Sequence, residues 1–173
     1  FQFLTSKPLL YVANTDEGGP VDELLLPIKK RAQNDNAVLV VLCAKMEAEI
    51  VQLPYEERAA YYEAAGIVSP GLAALAKAGQ KLLNLACFFT TGEKESRAWL
   101  IPQGTKAVKA AGKIHSDIER GFIRAEVYKY DDLMNLGSYR AVQEKGLVSL
   151  EGKDYEIQEG DVVLALASSG VHT

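Results

Sequence analysis

The sequence predicts an α/β segment followed by a small α+β unit, and three observations carry that reading. Two short apolar runs, Lys7 to Asn14 and Val38 to Cys43, flank an amphipathic stretch from Val21 to Gln33. Nearly uninterrupted apolar runs suit strands covered on both faces, and strand–helix–strand in this order is a βαβ unit with a right-handed crossover. Helical spacing then continues to about residue 85. From Cys87 the texture changes to short strands, turns and one helix, the pattern of a mixed sheet wrapped on a helix.

Taken in order, residues 7–14 predict a strand and Val21 to Gln33 a helix. Pro27 ends one turn of that helix and begins another. Val38 to Cys43 predicts the second strand. Two helices are expected next. Pro54 to Ala65 closes at Gly66, and Ser69-Pro70 supplies an N-cap and first-turn proline for a helix reaching Leu85. Leu72, Leu75, Leu82 and Leu83 form its apolar stripe. The second half predicts strands over Phe88 to Thr91 and Ala98 to Ile101, then a helix over Ala107 to Glu119 broken at Gly121. Phe122 to Tyr130 alternates as a strand. Short helical turns at 131–137 and 138–145 precede two last strands, Lys153 to Ile157 and Val162 to Leu166. A lone βαβ unit cannot cover both faces of its strands, so the first half is expected to belong to a larger sheet. The expected divisions are residues 1–65, a connecting helix over 66–86, and a second domain over 87–169.

The 173 residues are 48% hydrophobic and 24% charged, with a net charge of −4. That balance supports a globular core and points to no polyanion partner through global charge. Cys43 and Cys87 sit in apolar runs and are expected as reduced, buried thiols. His115 and His172 lack the spacing of a metal-ligand cluster, so no metal site is expected. With no apolar run of ~18 residues, neither a membrane span nor a membrane partner is expected, and the location is expected to be cytoplasmic. His115-Ser116-Asp117 is no catalytic triad, because adjacent helical residues do not converge on one point. No catalytic residue is assigned.

The chemistry-bearing candidates stand at strand ends. Asn14-Thr15-Asp16-Glu17 follows the first strand and Cys43-Ala44-Lys45 the second. Ligands of open α/β sheets bind at the carboxyl ends of strands. An amide such as Asn14 offers a donor and an acceptor to a purine edge, and backbone N–H groups of the 43–45 loop could face the same base. The plain alternative is an Asx-turn. In the second half, Lys94, Arg97, Lys106, Lys109, Lys113, Arg120 and Arg124 outnumber nearby acids. They could meet RNA phosphates or form an ordinary solvated face.

A strand ending in Asn-x-x-Glu, then a helix and a strand ending in Cys-Ala-Lys, resembles the last two nucleotide motifs of the YchF branch of Obg-like ATPases, within the P-loop GTPase class. Residues 88–127, 130–138 and 151–163 resemble the TGS domain that ends such proteins. Glu93 and Ser96 depart from the family's usual Pro and Val, and Val108 from a Pro. The resemblance implies a partial, Rossmann-like P-loop NTPase segment followed by a β-grasp, ubiquitin-like TGS domain. It implies that Asn14, Thr15, Glu17, Cys43, Ala44 and Lys45 read the base. Because Asn14 is not followed by the lysine of guanine-specific motifs, ATP is expected over GTP. Either Asp16 or Glu17 could face the base. Ribosome or ribosomal RNA is the implied partner, and DNA is not. No G-x-x-x-x-G-K-[ST] occurs in the 173 residues. Phosphate and Mg²⁺ binding would therefore fall to a parent ATPase, this chain alone being inactive. The competing readings are a non-enzymatic β-grasp module for RNA or protein and an accessory domain of a tRNA-ligating enzyme.

Overall fold

The structure is a computed structural model that describes residues 3–67, 69–92 and 95–168. Contacts divide the chain into two units, Phe1–Leu83 and Asn84–Thr173.

The first unit begins with a 3-10 turn at Leu4–Ser6, then β1 (Leu10–Asn14), α1 (Asp22–Asn34) and β2 (Val38–Leu42). The strands pair in parallel, from Leu10 opposite Val38 to Asn14 opposite Leu42. Asp22 and Glu23 occupy the first turn of α1 and Arg31 the last, the arrangement the helix dipole favours. Pro27 interrupts nothing: α1 runs through it. The ring removes one intrahelical hydrogen bond, and burial of Leu25 and Ala32 holds the helix across the gap. Tyr11 Oη and Arg31 Nε each donate to Asp35 Oδ2 at 2.7 Å, tying the end of α1 to β1. The Tyr11 hydroxyl, then Arg31, hold the Asp35 carboxyl below its usual range.

Three helices follow: α2 (Ala44–Val51), α3 (Tyr55–Ala64) and α4 (Gly71–Leu82). The eight residues of α2, capped by Cys43, have no Gly or Pro boundary on the N-terminal side to announce them, so this helix is an addition to the two expected. Pro70 is extended (ψ 134°), so α4 starts at Gly71 and Ser69 does not cap it. Leu72 and Leu83 are exposed, which corrects the expected stripe. Gly71 is buried where α4 meets β2: a Cβ there would lie 2.9 Å from Leu42 Cβ.

The second unit is a five-stranded sheet. Its elements are β3 (Leu85–Thr91), β4 (Ser96–Pro102), α5 (Ala107–Ile114), α6 (Ser116–Gly121), β5 (Phe122–Lys129), α7 (Tyr130–Leu136), α8 (Tyr139–Glu144), β6 (Ser149–Glu151) and β7 (Asp161–Ala167). Strand order is β4-β3-β7-β5-β6. Only β3 with β7 is parallel. One face packs Phe88, Ile101, Val127 and Val163 against Ala110, Ala111 and Ile118 of α5 and α6. The alanines let the helix approach closely. The other face packs Tyr128 and Val162 against Val142 of α8, with Leu133 and Leu136 of α7.

Two expectations fail here. The single helix over 107–119 is two helices, because His115 is extended (φ −161°, ψ 141°) and its Nδ1 accepts the Asp117 N–H at 3.1 Å as the cap of α6. Lys153 to Ile157 is no strand; Glu156 makes an isolated bridge to Lys106, and the strand is β6 upstream. The reason is Asp161. Its fully buried carboxylate accepts from Lys129 Nζ (2.6 Å), Tyr155 Oη (2.9 Å) and the Gln158 N–H (2.8 Å), which folds 155–161 into a tight loop. Burial and this carboxylate push the Tyr155 phenol upward.

Asp161→Ala leaves Lys129 and Tyr155 without their shared acceptor, and should cost about 3 kcal/mol in denaturant unfolding. Tyr139 supplies a pH test. Its hydroxyl donates to Glu126 Oε2 at 2.6 Å. That bond, then burial, raises its pKa from 10.0 to about 12. A raised folded-state pKa adds stability that is complete below pH 10 and lost as pH rises through about 12. Alkaline melts should show this loss, and Tyr139→Phe should remove it.

Candidate nucleotide-base site and cationic surface

The parallel pairing of β1 and β2 ends in step, so the residues after Asn14 and after Leu42 emerge side by side. The ladder continues one residue further, with the Thr15 N–H donating to Leu42 O at 2.9 Å. Asn14 Oδ1 accepts the Ala44 N–H at 2.9 Å, fastening one strand end to the other. This orients the Asn14 amide nitrogen away from that bond. Cys43 caps α2, its Sγ accepting the Met46 N–H at 3.5 Å.

Around these ends lies an open cleft of about 400 Å³, lined by Asn14, Thr15, Asp16, Glu17, Gly18, Cys43 and Lys45. Lys45 Nζ pairs with Glu17 Oε1 at 2.7 Å across it, which raises the Lys45 pKa. Both side chains are exposed, so the pair adds little stability. Asp16 has no charge partner among the described residues. Five of the six expected residues, Asn14, Thr15, Glu17, Cys43 and Lys45, thus share one cleft. Ala44 does not line it. Its N–H is committed to Asn14, because residues 44–51 are a helix whose first-turn donors are capped. Sequence reasoning did not select Gly18 as a lining residue. Its signal is the pair Gly18-Gly19, whose turn closes by the Gly19 N–H donating to Asp16 O at 3.0 Å. Among the described residues no three His, Cys, Asp or Glu side chains converge as a metal-binding group.

The cations of the second unit form no single free cluster. Lys94 lies outside the described residues. Lys106 pairs with Asp154 and Lys109 with Glu119, each at 2.6 Å, and Arg120 pairs with Asp117. Arg97 sits 4.9 Å over the Trp99 ring and 4.0 Å from Glu95. Lys113 and Arg124 have no charge partner among the described residues. Arg124 precedes Ala125, whose side chain enters the core beneath α5, so Arg124 projects from the opposite face of the sheet. Lys106, Lys109, Lys113 and Arg120 remain together on α5, its flank and α6.

A parallel strand pair with a cleft at its carboxyl end, followed by a five-stranded mixed sheet with helices on both faces, defines a two-unit α/β protein. The second unit matches the family model YchF-GTPase_C, described as a protein of unknown function (DUF933), over residues 85–167. The chain belongs to the YchF family. It is 49% identical over 164 residues to the ribosome-binding ATPase YchF of Bacillus subtilis (strain 168), covering 92% of this chain and 45% of that protein. It is 43% identical over 162 residues to the protein of the same name from Escherichia coli O157:H7, covering 93% and 45%. The solved Schizosaccharomyces pombe YchF GTPase superposes with a TM-score of 0.74 at 30% identity, over 93% of this chain and 44% of that one. A GTP-binding protein from Pyrococcus horikoshii OT3 shares the fold, with a TM-score of 0.63 at 18% identity. The chain spans about half the length of the curated relatives it matches.

Asn14→Ala removes the clasp between the strand ends while leaving the ladder intact. It should lower stability of the first unit by about 1 kcal/mol. Amide exchange at Ala44 should rise, with exchange at Val40 unchanged.

Proposed function

We propose that this chain is the C-terminal portion of a ribosome-associated, nucleotide-binding ATPase of the Obg-like type, working in the cytoplasm. One observation carries the nucleotide half of that reading: the clasped ends of two adjacent parallel strands border a cleft lined by Asn14, Thr15, Glu17, Cys43 and Lys45. With Oδ1 engaged by Ala44, the Asn14 amide nitrogen is a donor for a purine ring nitrogen. Asp16 and the Glu17–Lys45 pair place carboxylates and an ammonium beside the base edge. The lysine that follows the asparagine in guanine-specific motifs is Thr15 here, which supports ATP over GTP. The names of the relatives support nucleotide and ribosome binding in the family.

In this reading the first unit is a segment of a P-loop nucleotide-binding domain and the second a TGS-type β-grasp module that meets the partner. The chain's own residues orient the base. Phosphates and Mg²⁺ would be held by a P-loop of the parent protein, and no such motif occurs in the 173 residues. The chain alone is therefore expected to hydrolyse no ATP or GTP. Lys106, Lys109, Lys113 and Arg120 supply the surface for ribosomal RNA. Their exposed pairs to Asp154, Glu119 and Asp117 cost little to exchange for phosphate oxygens.

Two measurements test the proposal. In an NMR titration with ATP and GTP, amides of Asn14 to Gly18 and of Lys45 should move, more for ATP, and Asn14→Ala should abolish the shifts. Absence of any shift there would leave the non-enzymatic binding module as the reading. In co-sedimentation with ribosomes, Lys109→Ala with Lys113→Ala should weaken binding and flatten its salt dependence by about two charges. Unchanged binding would remove the α5–α6 surface from the interface.

A further inference from the structure

A second depression in the first unit is larger than the strand-end cleft and lies on other elements. It is a trough of about 1030 Å³ walled by α2, α3 and α4. Its long wall is α3, and none of the ten residues of α3 is buried. An isolated helix of that length is marginal in water and normally gains its stability from a packed apolar face. Such a face exists. Tyr55, Ala59 and Tyr62 recur at helical spacing along α3, and Leu72, Ala73 and Ala76 face them from α4. Tyr55 is 81% exposed and Leu72 68%. The three alanines keep the floor open.

The polar groups of the trough are already satisfied by one another. Glu47 accepts from Tyr62 Oη at 2.9 Å and from the Gly71 N–H at 2.6 Å. Arg58 donates to Val51 O at 2.8 Å and Leu53 O at 3.0 Å, which ends α2 and anchors α3. The floor thus offers apolar surface to an occupant and little polar chemistry. The rim is different. Glu56 and Glu63 are exposed, line the trough and have no charge partner among the described residues. Seven residues apart on α3, they stand on one side of the helix, about 10 Å from each other along its axis. Arg58 is the sole cation of the lining, and its guanidinium is spent on backbone carbonyls.

We propose that this trough is a docking site for an amphipathic helix of a protein partner, apolar on one face and carrying Lys or Arg two turns apart at its edge. The apolar floor between two helices fits the helix-in-groove mode, in which residues at i, i+3, i+4 and i+7 anchor the ligand. The paired rim carboxylates complement cations at i and i+7 and disfavour nucleic acid. The site is independent of the nucleotide reading, since it shares no residue with the strand-end cleft.

The test uses the 173-residue chain and two fluorescent model helices of about 15 residues, one built from Leu and Lys, the other from Leu and Glu at the same spacing. The Leu/Lys helix should bind, weaken with salt, and move the amides of Tyr55, Ala59 and Ala73. The Leu/Glu helix should not. Glu56→Lys with Glu63→Lys should weaken the first by roughly tenfold and admit the second. Ala73→Trp, a change at an exposed position, should fill the trough and abolish binding with the circular dichroism unchanged. Equal binding of both helices, binding indifferent to the rim reversal, or shifts confined to other surfaces would overturn the proposal. So would concentration-dependent self-association lost in Ala73→Trp, which would make a second copy the occupant, or displacement of the helix by an RNA oligonucleotide.

Discussion

The first unit depends on the register of one strand pair. β1 and β2 run parallel for five residues and stop together, at Asn14 and Leu42. A slip of one residue would turn every side chain of a strand to the other face. It would bury Val12 in place of Ala13 and carry Asn14 away from Ala44. The clasp between Asn14 and Ala44 exists only in the observed register, and the cleft lies where the ladder and the clasp together hold the two ends side by side. Tyr11 and Asp35 add a second restraint at the far side of the same strand, fixing where α1 returns to the sheet. Asn14 and Cys43, twenty-nine positions apart in sequence, thus come to line one cleft through backbone pairing.

The second unit is organised differently, around a buried charge. Asp161 opens the central strand β7 and gathers a lysine, a phenol and a backbone amide. Removing a carboxylate from water is costly unless its lone pairs are filled, and here three donors fill them. That requirement bends 155–161 into a loop where the pattern of apolar residues alone suggests a strand.

The features legible in the sequence are those set by local pattern. The apolar run VLVVL announces β2, the alternation in FIRAEVYK announces β5, and Gly137 closes α7 in the left-handed conformation (φ 77°) that glycine tolerates. The strand-end position of Asn14 could also be read. What stayed hidden depends on partners distant in sequence or on competition between equal choices. Nothing in AKMEAEIV announces a helix start, because its cap is a cysteine sulfur. His115 looks like a helix interior until its ring takes the Asp117 N–H. The cations of α5 and α6 read as a free patch, but Asp154 lies 48 residues from Lys106 and neutralises it across a turn that only the fold creates.

The order of strands in the second unit bears on how it is made. β7 is the last of the five strands in sequence and lies in the middle of the sheet, between β3 and β5. Until it arrives, β3–β4 and β5–β6 are two separate antiparallel pairs with no edge in common, and isolated two-stranded pairs are marginal in water. A polypeptide is synthesised from its N-terminus, so this sheet cannot close while β7 is still inside the machine that makes it. The module can become a folded body only after β7 has been made. A truncation before Asp161 would yield two unjoined strand pairs with open inner edges, a form prone to aggregation.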